Sequence, residues 1–537
     1  MKKPSNLAIA LPLIIASVLA IGLYFGQKLA PQQTTLLFSD TGLSQNDKLH
    51  QVMQYIESDY VDSVKQQKII ENTINEILQN LDPHSYYIPK KDYHAMNDPL
   101  EGNFEGIGIE FRIQEDTVMV VQPIGGGPSE KVGIQAGDRI IAVEGEDITG
   151  KEINNRKVIK LLKGPKGTEV NVSIKRNKQP ELIDFAIQRD KIPLHSIDAA
   201  YMIDSQVGYI KILRFAKTTY DEFKQSVDKL KNRGMQKLVL DLRNNSGGFM
   251  QSAIKIADEF LPEDQLIVFT KGKARNRKDF YASSKGELEE TSVTVLINEA
   301  SASASEILAG ALQDNDHGTI IGRRSFGKGL VQEGIQWPDG SAMRLTVARY
   351  YTPTGRSIQK SYENGLEEYN KEAFNRYQNG EMLSADSIDF PDSLKYITKG
   401  GKVLYGGGGI KPDIFVPLDT SQTSKFFGQL NFQGIFYQFA FQYVDKNRES
   451  LEKKYSEKTY FNDFRVSEKL LQDFFSFAEE KEIQLNEKEA ERSSNLIDNR
   501  IKAYIGRNLW GDNLFYQIIN QEDEVVKTAR KILDKKA

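Results

Sequence analysis

The stretch TSVTVLINEASASASEILAGAL, residues 291–312, predicts a strand, a tight turn and a helix in immediate succession. Val293–Ile297 is an apolar run of strand length, and Ile307–Leu312 continues with the spacing of a helix. The small residues between them place Ser303 at the start of that helix, where free backbone N–H groups and the helix dipole favour developing negative charge. The pattern indicates either a nucleophilic serine or a plain helix N-cap, a role that serine also performs well.

A second motif, GRRSFGKGLVQ at residues 322–332, surrounds one lysine, Lys328, with glycines. A lysine placed in a dry pocket loses its charge, because desolvation disfavours the ammonium form. A neutral lysine can then take a proton from a serine hydroxyl. The alternative is a solvated glycine-rich turn. A phosphate-binding loop is excluded, because that motif requires Ser or Thr after the lysine and here Gly329 follows.

Two further glycine motifs can expose backbone N–H groups. LDLRNNSGG, residues 240–248, ends an apolar strand, and Gly247 and Gly248 can present N–H groups to an oxyanion. FEGIGI, residues 104–109, is a glycine loop that leads into a strand; such a loop can cradle a carboxylate, and the strand edge can accept an extended peptide. Taken singly, a simple turn and an ordinary hairpin explain these motifs equally well.

Composition excludes several classes of protein. The 537 residues have a net charge of −4, which provides no basic field for a nucleic acid. There are no cysteines, so disulfides, thiolate metal sites and a cysteine nucleophile are excluded. The five histidines are scattered, and none forms a metal-binding pair at helical spacing. We therefore expect no metal and no cofactor.

The N-terminus carries a membrane signal. Lys2 and Lys3 precede an uncharged, largely apolar stretch over residues 7–26, which as a helix would rise about 30 Å, the thickness of a bilayer core. The stretch is longer than the apolar region of a cleaved signal peptide, and Pro31 follows Ala30 where cleavage would be sought. We favour an uncleaved anchor over a cleaved signal. The positive flank predicts an inner-membrane anchor with the rest of the chain in the periplasm or another extracytoplasmic space.

The order of helical and strand patterns along the sequence predicts an α+β multidomain protein. Helical spacing follows the N-terminal signal, and short strands separated by glycine-rich turns begin near Phe104. Apolar strands at 237–242, 266–270 and 293–297 then alternate with helices, as in a layered α/β domain, and residues 362–399 form an aperiodic insertion. We predict five parts: a signal anchor (1–30), a helical module (31–95), a β domain (96–190), an α/β core (191–420) and a C-terminal helical domain (421–537).

Together these motifs resemble the C-terminal processing, or tail-specific, serine peptidases. The resemblance runs from about Leu81 to Pro417 and includes LDPHS at residues 81–85 and GGIKPDI at residues 408–414. It implies that the β domain is PDZ-like and that Ser303 and Lys328 form a catalytic dyad, with Gln332 holding the lysine. It also implies an oxyanion hole built from the N–H groups of Ala304 and of Gly247 or Gly248. The peptide-binding loop of the PDZ-like domain would be Gly106, Ile107, Gly108 and Ile109.

The resemblance implies an endopeptidase that recognises protein C-termini and hydrolyses peptide bonds without metal or cofactor. Its partners would be proteins with accessible, apolar C-termini, together with the membrane through the N-terminal helix, and no nucleic acid. A homo-oligomer and an activator protein both stay open.

Three alternatives remain at this point. His317, which lies between Ser303 and Lys328 in the sequence, could serve a serine hydrolase of another type. The chain could also be a non-catalytic PDZ scaffold that only binds protein tails. The third alternative is a cell-surface protein whose α/β domain binds small molecules and whose serines only cap a helix.

Overall fold

The computed structural model describes residues 16–22, 45–114, 116–176, 179–388 and 390–535. The chain divides into two compact units, residues 1–72 and 73–537. Of the apolar N-terminal stretch, residues 16–22 are helical, and the rest of the predicted anchor lies outside the described residues. Within the described ranges, we find no helix with both the length and the apolarity to cross a bilayer.

The first unit contains the helix Gln45–Asp59 and the start of the helix Gln66–Gln79. The second unit contains a bridging helix (Lys90–Glu101), a serine helix (Ala304–Asp314), an insertion helix (Leu366–Gln378) and a closing helix (Glu524–Lys535). The other helices are Pro128–Val132, Asn155–Leu162, Thr219–Lys231, Met250–Asp258, Lys425–Phe432, Ile435–Lys454, Glu457–Asp463, Glu468–Glu480, Glu487–Arg492, Ser494–Trp510 and Asp512–Asn520.

The PDZ-like domain is built on one antiparallel sheet in which strand order is β3-β4-β5-β7-β8 and β6 pairs with β5. These strands are β3 Ile109–Gln114, β4 Thr117–Pro123, β5 Arg139–Val143, β6 Glu146–Asp147, β7 Glu169–Lys175 and β8 Ile183–Gln188. β2 (Asn103–Gly106) and β9 (Asp190–Pro193) pair as a separate two-stranded ribbon on either side of this domain in the sequence. The domain therefore joins the rest of the unit through two paired strands.

A six-stranded sheet forms the centre of the α/β core, in the order β10-β11-β12-β15-β16-β21. All its pairs are parallel except the first. These strands are β10 Ile197–Met202, β11 Val207–Ile212, β12 Lys237–Asp241, β15 Ser292–Ile297, β16 Gly318–Gly322 and β21 Ile414–Phe415. Both faces of this sheet are covered, as parallel sheets require. Leu238 and Leu240 pack in one cluster with the serine helix, and Val239 between them packs with the closing helix on the other face.

A five-stranded antiparallel sheet lies beside this core, with β1-β18-β13-β14 in order and β17 paired to β18. Its strands are β1 Tyr86–Ile88, β13 Leu266–Lys271, β14 Lys278–Tyr281, β17 Leu330–Gln336 and β18 Ala342–Tyr351. The sequence predicted a strand at 266–270 within the α/β alternation. The strand exists, but it pairs with β18, because the partner of a strand depends on distant residues.

The insertion contains more regular structure than its composition suggested. Besides the insertion helix, it includes short 3₁₀ turns at Ala385–Ser387 and Asp392–Leu394, and β19 (Lys395–Ile397) pairs with β20 (Val403–Tyr405). The C-terminal helices from Lys425 onward pack around their own aromatic cluster, as a helical domain requires. The closing helix leaves that cluster and contributes Val525, Val526, Ala529 and Leu533 to the face of the core sheet.

Candidate functional site

Ser303 lies where the sequence predicted, between β15 and the serine helix. Its backbone has φ 55° and ψ −113°, a conformation that L-residues rarely adopt and that holds the turn tight. The residue is half-buried and lines a cleft of about 930 Å³. A serine hydroxyl at a helix N-terminus, open to a cleft, is positioned to attack a bound carbonyl.

Gly247 and Gly248 pack directly against this turn. A Cβ on Gly247 would lie 2.8 Å from Cβ of Ser303, and one on Gly248 would lie 2.0 Å from the carbonyl oxygen of Phe215, so no larger residue fits. Gly247 donates its N–H to Oδ1 of Asn245 at 2.8 Å. Within the described part of the chain, the N–H groups of Gly248 and Ala304 have no recorded acceptor. Of the two glycines, Gly248 is therefore the one that can serve an oxyanion together with Ala304.

Lys328 lines the same cleft and is half-buried. Burial lowers the pKa of its amine below the ordinary 10.5, and the nearby guanidinium of Arg344 lowers it further. Nζ donates to Oε1 of Gln332 at 2.9 Å. In the described residues Nζ is not hydrogen-bonded to the Ser303 hydroxyl, a contact that often tightens only when substrate binds.

Glu306 was not recognised from the sequence, although a Ser-x-x-Glu pattern at a helix start is a capping signal. Its carboxylate is fully buried and links the two predicted catalytic residues through their backbones. Oε2 accepts the N–H of Ser303 at 2.8 Å and that of Lys328 at 2.9 Å. Oε1 accepts from Ser325 Oγ and from the Gly327 N–H, at 2.5 and 2.7 Å. Burial raises the pKa of Glu306 to about 7, against the effect of these hydrogen bonds.

A buried ion cluster supports the loop that carries the glycines. Asp241 accepts from Lys211 Nζ at 3.0 Å, from the Tyr209 hydroxyl at 2.8 Å and from the guanidinium of Arg243 at 2.7 Å. Burial alone would raise the pKa of Asp241, but the two cations hold it well below the usual range. Arg243 also donates to Asp523, just before the closing helix, at 2.7 Å. The loop that carries Gly247 and Gly248 thus begins at a buried cluster of ion pairs.

The predicted peptide loop Gly106–Ile109 lies at a second, smaller cavity of about 260 Å³. β3 is an edge strand of its sheet, and the helix Asn155–Leu162 faces it with Ile159 and Leu162, which gives the groove an apolar lining. Such an edge accepts an added peptide strand.

One helix lines both cavities. The bridging helix contributes Ala95 and Asp98 to the PDZ-like groove, and Tyr93 and Asn97 to the large cleft. The structure therefore gathers Ser303, Lys328, Gln332, Gly247 and Gly248 around one cleft, and Gly106, Ile107, Gly108 and Ile109 around another. His317 does not line the cleft; its ring lies 6.3 Å from that of Phe260.

Comparison with known proteins matches three parts of the chain. Residues 206–368 match peptidase family S41, residues 106–187 match a PDZ domain, and residues 426–511 match a family of unknown function (DUF8443). The carboxy-terminal-processing protease of Bartonella bacilliformis is 38% identical over 313 residues, which cover 57% of this chain and 71% of the relative. The carboxy-terminal processing protease CtpA of Bacillus subtilis is 33% identical over 348 residues, or 65% and 73% of the two chains.

Among solved structures, the photosystem II D1 C-terminal processing protease is similar, with 26% sequence identity and a TM-score of 0.37. The match covers 70% of this chain and 88% of that one.

Proposed function

The chain belongs to peptidase family S41 as a carboxy-terminal processing serine endopeptidase with a PDZ domain, and we propose that Ser303 and Lys328 are its catalytic pair. The observation that carries this proposal is the meeting of both side chains at one cleft, with the serine on a helix N-terminus. A lysine whose pKa is lowered by burial is a competent base for that serine.

The proposed mechanism follows from these positions. Neutral Lys328 removes the hydroxyl proton as Oγ of Ser303 bonds to the peptide carbonyl carbon, and the carbonyl electrons move onto oxygen. The N–H groups of Gly248 and Ala304 stabilise that oxyanion; loss of one such donor typically costs about 10²–10³ in rate. As the C–N bond breaks, the ammonium of Lys328 returns its proton to the leaving amine. Water, deprotonated by Lys328, then hydrolyses the acyl-enzyme and the serine regains its proton.

We propose that Glu306 and Gln332 position this pair. The Glu306 carboxylate accepts backbone N–H groups from both catalytic residues, so a single side chain fixes the spacing of their backbones. Gln332 presents a neutral acceptor to Nζ of Lys328. A neutral acceptor orients the amine without the charge that would stabilise its protonated form.

We propose that the PDZ domain captures apolar protein C-termini. Backbone N–H groups of the loop Gly106–Ile109 would bind the terminal carboxylate, and the tail would extend β3. The apolar lining of the groove supports a preference for apolar terminal side chains. Peptides ending in Asp or Lys should compete poorly with peptides ending in Val or Ala, and equal competition would refute this preference.

Anchoring to the inner membrane, with the proteolytic domains outside the cytoplasm, is also a proposal. It is supported by the apolar stretch 7–26 and the flanking Lys2 and Lys3. In cell fractionation the chain should stay with the membrane after a high-salt wash, and the proteolytic part should be digested by protease added to spheroplasts. Recovery in the soluble cytoplasmic fraction would overturn the proposal.

The decisive experiment compares full-length wild type with Ser303→Ala and Lys328→Ala on an unfolded protein with an apolar C-terminus, with products identified by mass spectrometry. Wild type should cleave and both variants should not. His317→Ala should cleave like wild type, because that ring packs on Phe260 outside the cleft. Cleavage by Ser303→Ala at the wild-type rate would refute the assignment of the nucleophile.

A further inference from the structure

The LDPHS segment folds into a tight turn closed by one buried carboxylate. Oδ1 of Asp82 accepts the N–H of His84 at 2.8 Å and the N–H of Ser85 at 2.9 Å, and Oδ2 accepts the Ser85 hydroxyl at 2.6 Å. Asp82 is 6% exposed and Ser85 1%. Three hydrogen bonds to one carboxylate fix the backbone at His84.

This turn is attached to the strand beside Gln332. β1 follows the turn and pairs with β18, and Ser85 Oγ accepts the N–H of Thr346 at 3.1 Å. Thr346 lies opposite Gln332 in the β17–β18 register, next to an irregularity between Val331 and Gln332. A register shift of this kind changes the direction in which the neighbouring side chains point. Gln332 thereby reaches the turn, and its Nε2 donates to the carbonyl oxygen of His84.

This contact determines which end of the amide faces the lysine. A backbone carbonyl can only accept, so the amide must present Nε2 to His84. Oε1 is then directed to Lys328, and Nζ donates to it at 2.9 Å. With one N–H of the neutral amine fixed in this way, rotation about its last C–N bond is restricted and its lone pair keeps one direction.

We propose that the Asp82–Ser85 turn is a positioning element for the general base, acting through the His84 carbonyl and the amide of Gln332. The inference rests on the proposed role of Lys328. Asp82 touches neither substrate nor reacting atoms. It fixes the His84 carbonyl, which orients the Gln332 amide, and that amide orients Lys328. The contact joins distant parts of the chain, since His84 and Gln332 are 248 residues apart.

The surroundings of His84 fit this role. Its Nε2 lies 2.7 Å from the hydroxyl of Tyr369 on the insertion helix. Burial is the main reason that the pKa of His84 is lowered to about 4; a positive charge on Lys328 or Lys360 lowers it further, and the carboxylate of Asp82 opposes the shift. The ring is therefore neutral at physiological pH and adds no positive charge beside the base. Tyr369 also contacts the His84 ring edge-on, with the ring centroids 5.4 Å apart, so the insertion helix supports the turn as well.

The test is a double-mutant cycle on the full-length protein, comparing Asp82→Ala, Gln332→Ala and the double variant with wild type at one pH on the alkaline plateau. Asp82→Ala should lower kcat by about 10–100-fold with KM within twofold, because misplacing a catalytic group by about 1 Å can cost about 10²-fold. In the Gln332→Ala background the same substitution should cost less than about twofold, because its target is gone. An equal loss in both backgrounds, or a loss confined to KM, would overturn the proposal.

Two control variants test whether the effect of Asp82→Ala comes from the loss of its negative charge, or would follow from breaking any Asp–Ser turn in the protein. Asp82→Asn removes the same negative charge but keeps an acceptor for both N–H groups, so it should retain kcat within about threefold of wild type. A loss as large as that of Asp82→Ala would refute a role for the turn. Asp419→Ala breaks a similar Asp–Ser turn at Ser421, outside the cleft, and should leave kcat unchanged.

The cycle stays informative if Asp82→Ala fails to fold. Ser85→Ala then replaces it, because it removes one hydrogen bond of the turn and the contact with Thr346. The inference and the proposed function fail in different ways. If Ser303→Ala and Lys328→Ala are inactive but the cycle is additive, the inference alone is wrong. If those two variants are active, the catalytic assignment itself is wrong.

Discussion

The amines of Lys211 and Lys328 are both shielded from water, but Lys211 bonds to a carboxylate and Lys328 to a neutral amide. Lys211 is 5% exposed and donates to the carboxylate of Asp241 at 3.0 Å. Lys328 donates to the neutral amide of Gln332 at 2.9 Å. Burial lowers the pKa of both amines. At Lys211 the carboxylate of Asp241 opposes this effect and the guanidinium of Arg243 adds to it. At Lys328 the guanidinium of Arg344 adds to it, and the carboxylates of Asp82 and Glu306 oppose it.

The two lysines therefore differ in the group that accepts from Nζ, a carboxylate for Lys211 and an amide for Lys328. An adjacent carboxylate favours the ammonium form, and an amide favours neither form strongly. Lys360, a third buried lysine, resembles Lys211, because it pairs with Glu372 at 3.1 Å. Burial alone therefore does not identify a base; the partner of the amine does.

The largest effect is expected from Asp241→Asn. The substitution leaves Lys211 and Arg243 buried without their shared carboxylate, and loss of one partner of a buried ion pair typically costs about 3–5 kcal/mol. Urea denaturation should show that loss in the free energy of unfolding. Lys328→Met is the matched control, because among the described residues no carboxylate lies within hydrogen-bond distance of the Lys328 amine, and stability should not fall. An equal loss of stability in both variants would remove the distinction between the two lysines.

The pH profile should sharpen the comparison. Because Lys328 must be neutral to act as a base, kcat/KM should rise about tenfold per pH unit below its pKa and level off before 10.5. Gln332→Glu would give Lys328 the kind of partner that Lys211 has. The new carboxylate favours the ammonium form, so the inflection should move to higher pH by about one unit and the rate at pH 7 should fall about tenfold.

The pH profile of Gln332→Glu also provides the control for this variant. At high pH, where the lysine of Gln332→Glu is also neutral, activity should approach the wild-type plateau. An inflection that does not move, or that moves to lower pH, would contradict the idea that the neutral amide prepares the base.

The smallest effect is expected from Asp523→Asn. Arg243 retains Asp241 when this outer partner is lost, so the free energy of unfolding should fall by only about 1 kcal/mol and kcat should change less than about threefold. Lys527→Ala, on the same closing helix but with exposed ion pairs to Glu522 and Glu524, should leave both quantities unchanged. A loss as large as that of Asp241→Asn would mean that the outer carboxylate dominates the cluster.

The parts of the site that could be predicted from the sequence are those that lie in local motifs. Ser303, Lys328 and the glycine pair each lie in a contiguous segment whose strand, turn and helix signals can be recognised directly, and the structure gathers them at one cleft. Glu306 also lies in such a segment, but its signal is that of an ordinary helix cap. Four strands of the PDZ sheet, at 107–113, 118–122, 139–143 and 169–176, were predicted to within two residues, because alternation and glycine turns are local as well. The strands Glu146–Asp147 and Ile183–Gln188 were missed.

The missed contacts are those between distant segments. The amide of Gln332 bonds a backbone carbonyl, and a carbonyl has no signature in the sequence, since every residue has one. Arg243 reaches Asp523 across 280 positions. The strand Leu266–Lys271 was predicted, but its sheet was not, because its partner β18 is chosen by packing. Tertiary pairing, rather than local propensity, limited the prediction.

The backbone of Ser303 has an evolutionary consequence. At φ 55° a serine stores conformational strain, typically about 1–3 kcal/mol, that a glycine would not. For stability alone, therefore, the favourable change at this position is the one that destroys the nucleophile. After gene duplication, a copy no longer selected for proteolysis would gain stability by replacing this serine with glycine. Its descendants would be binding proteins more stable than the parent enzyme.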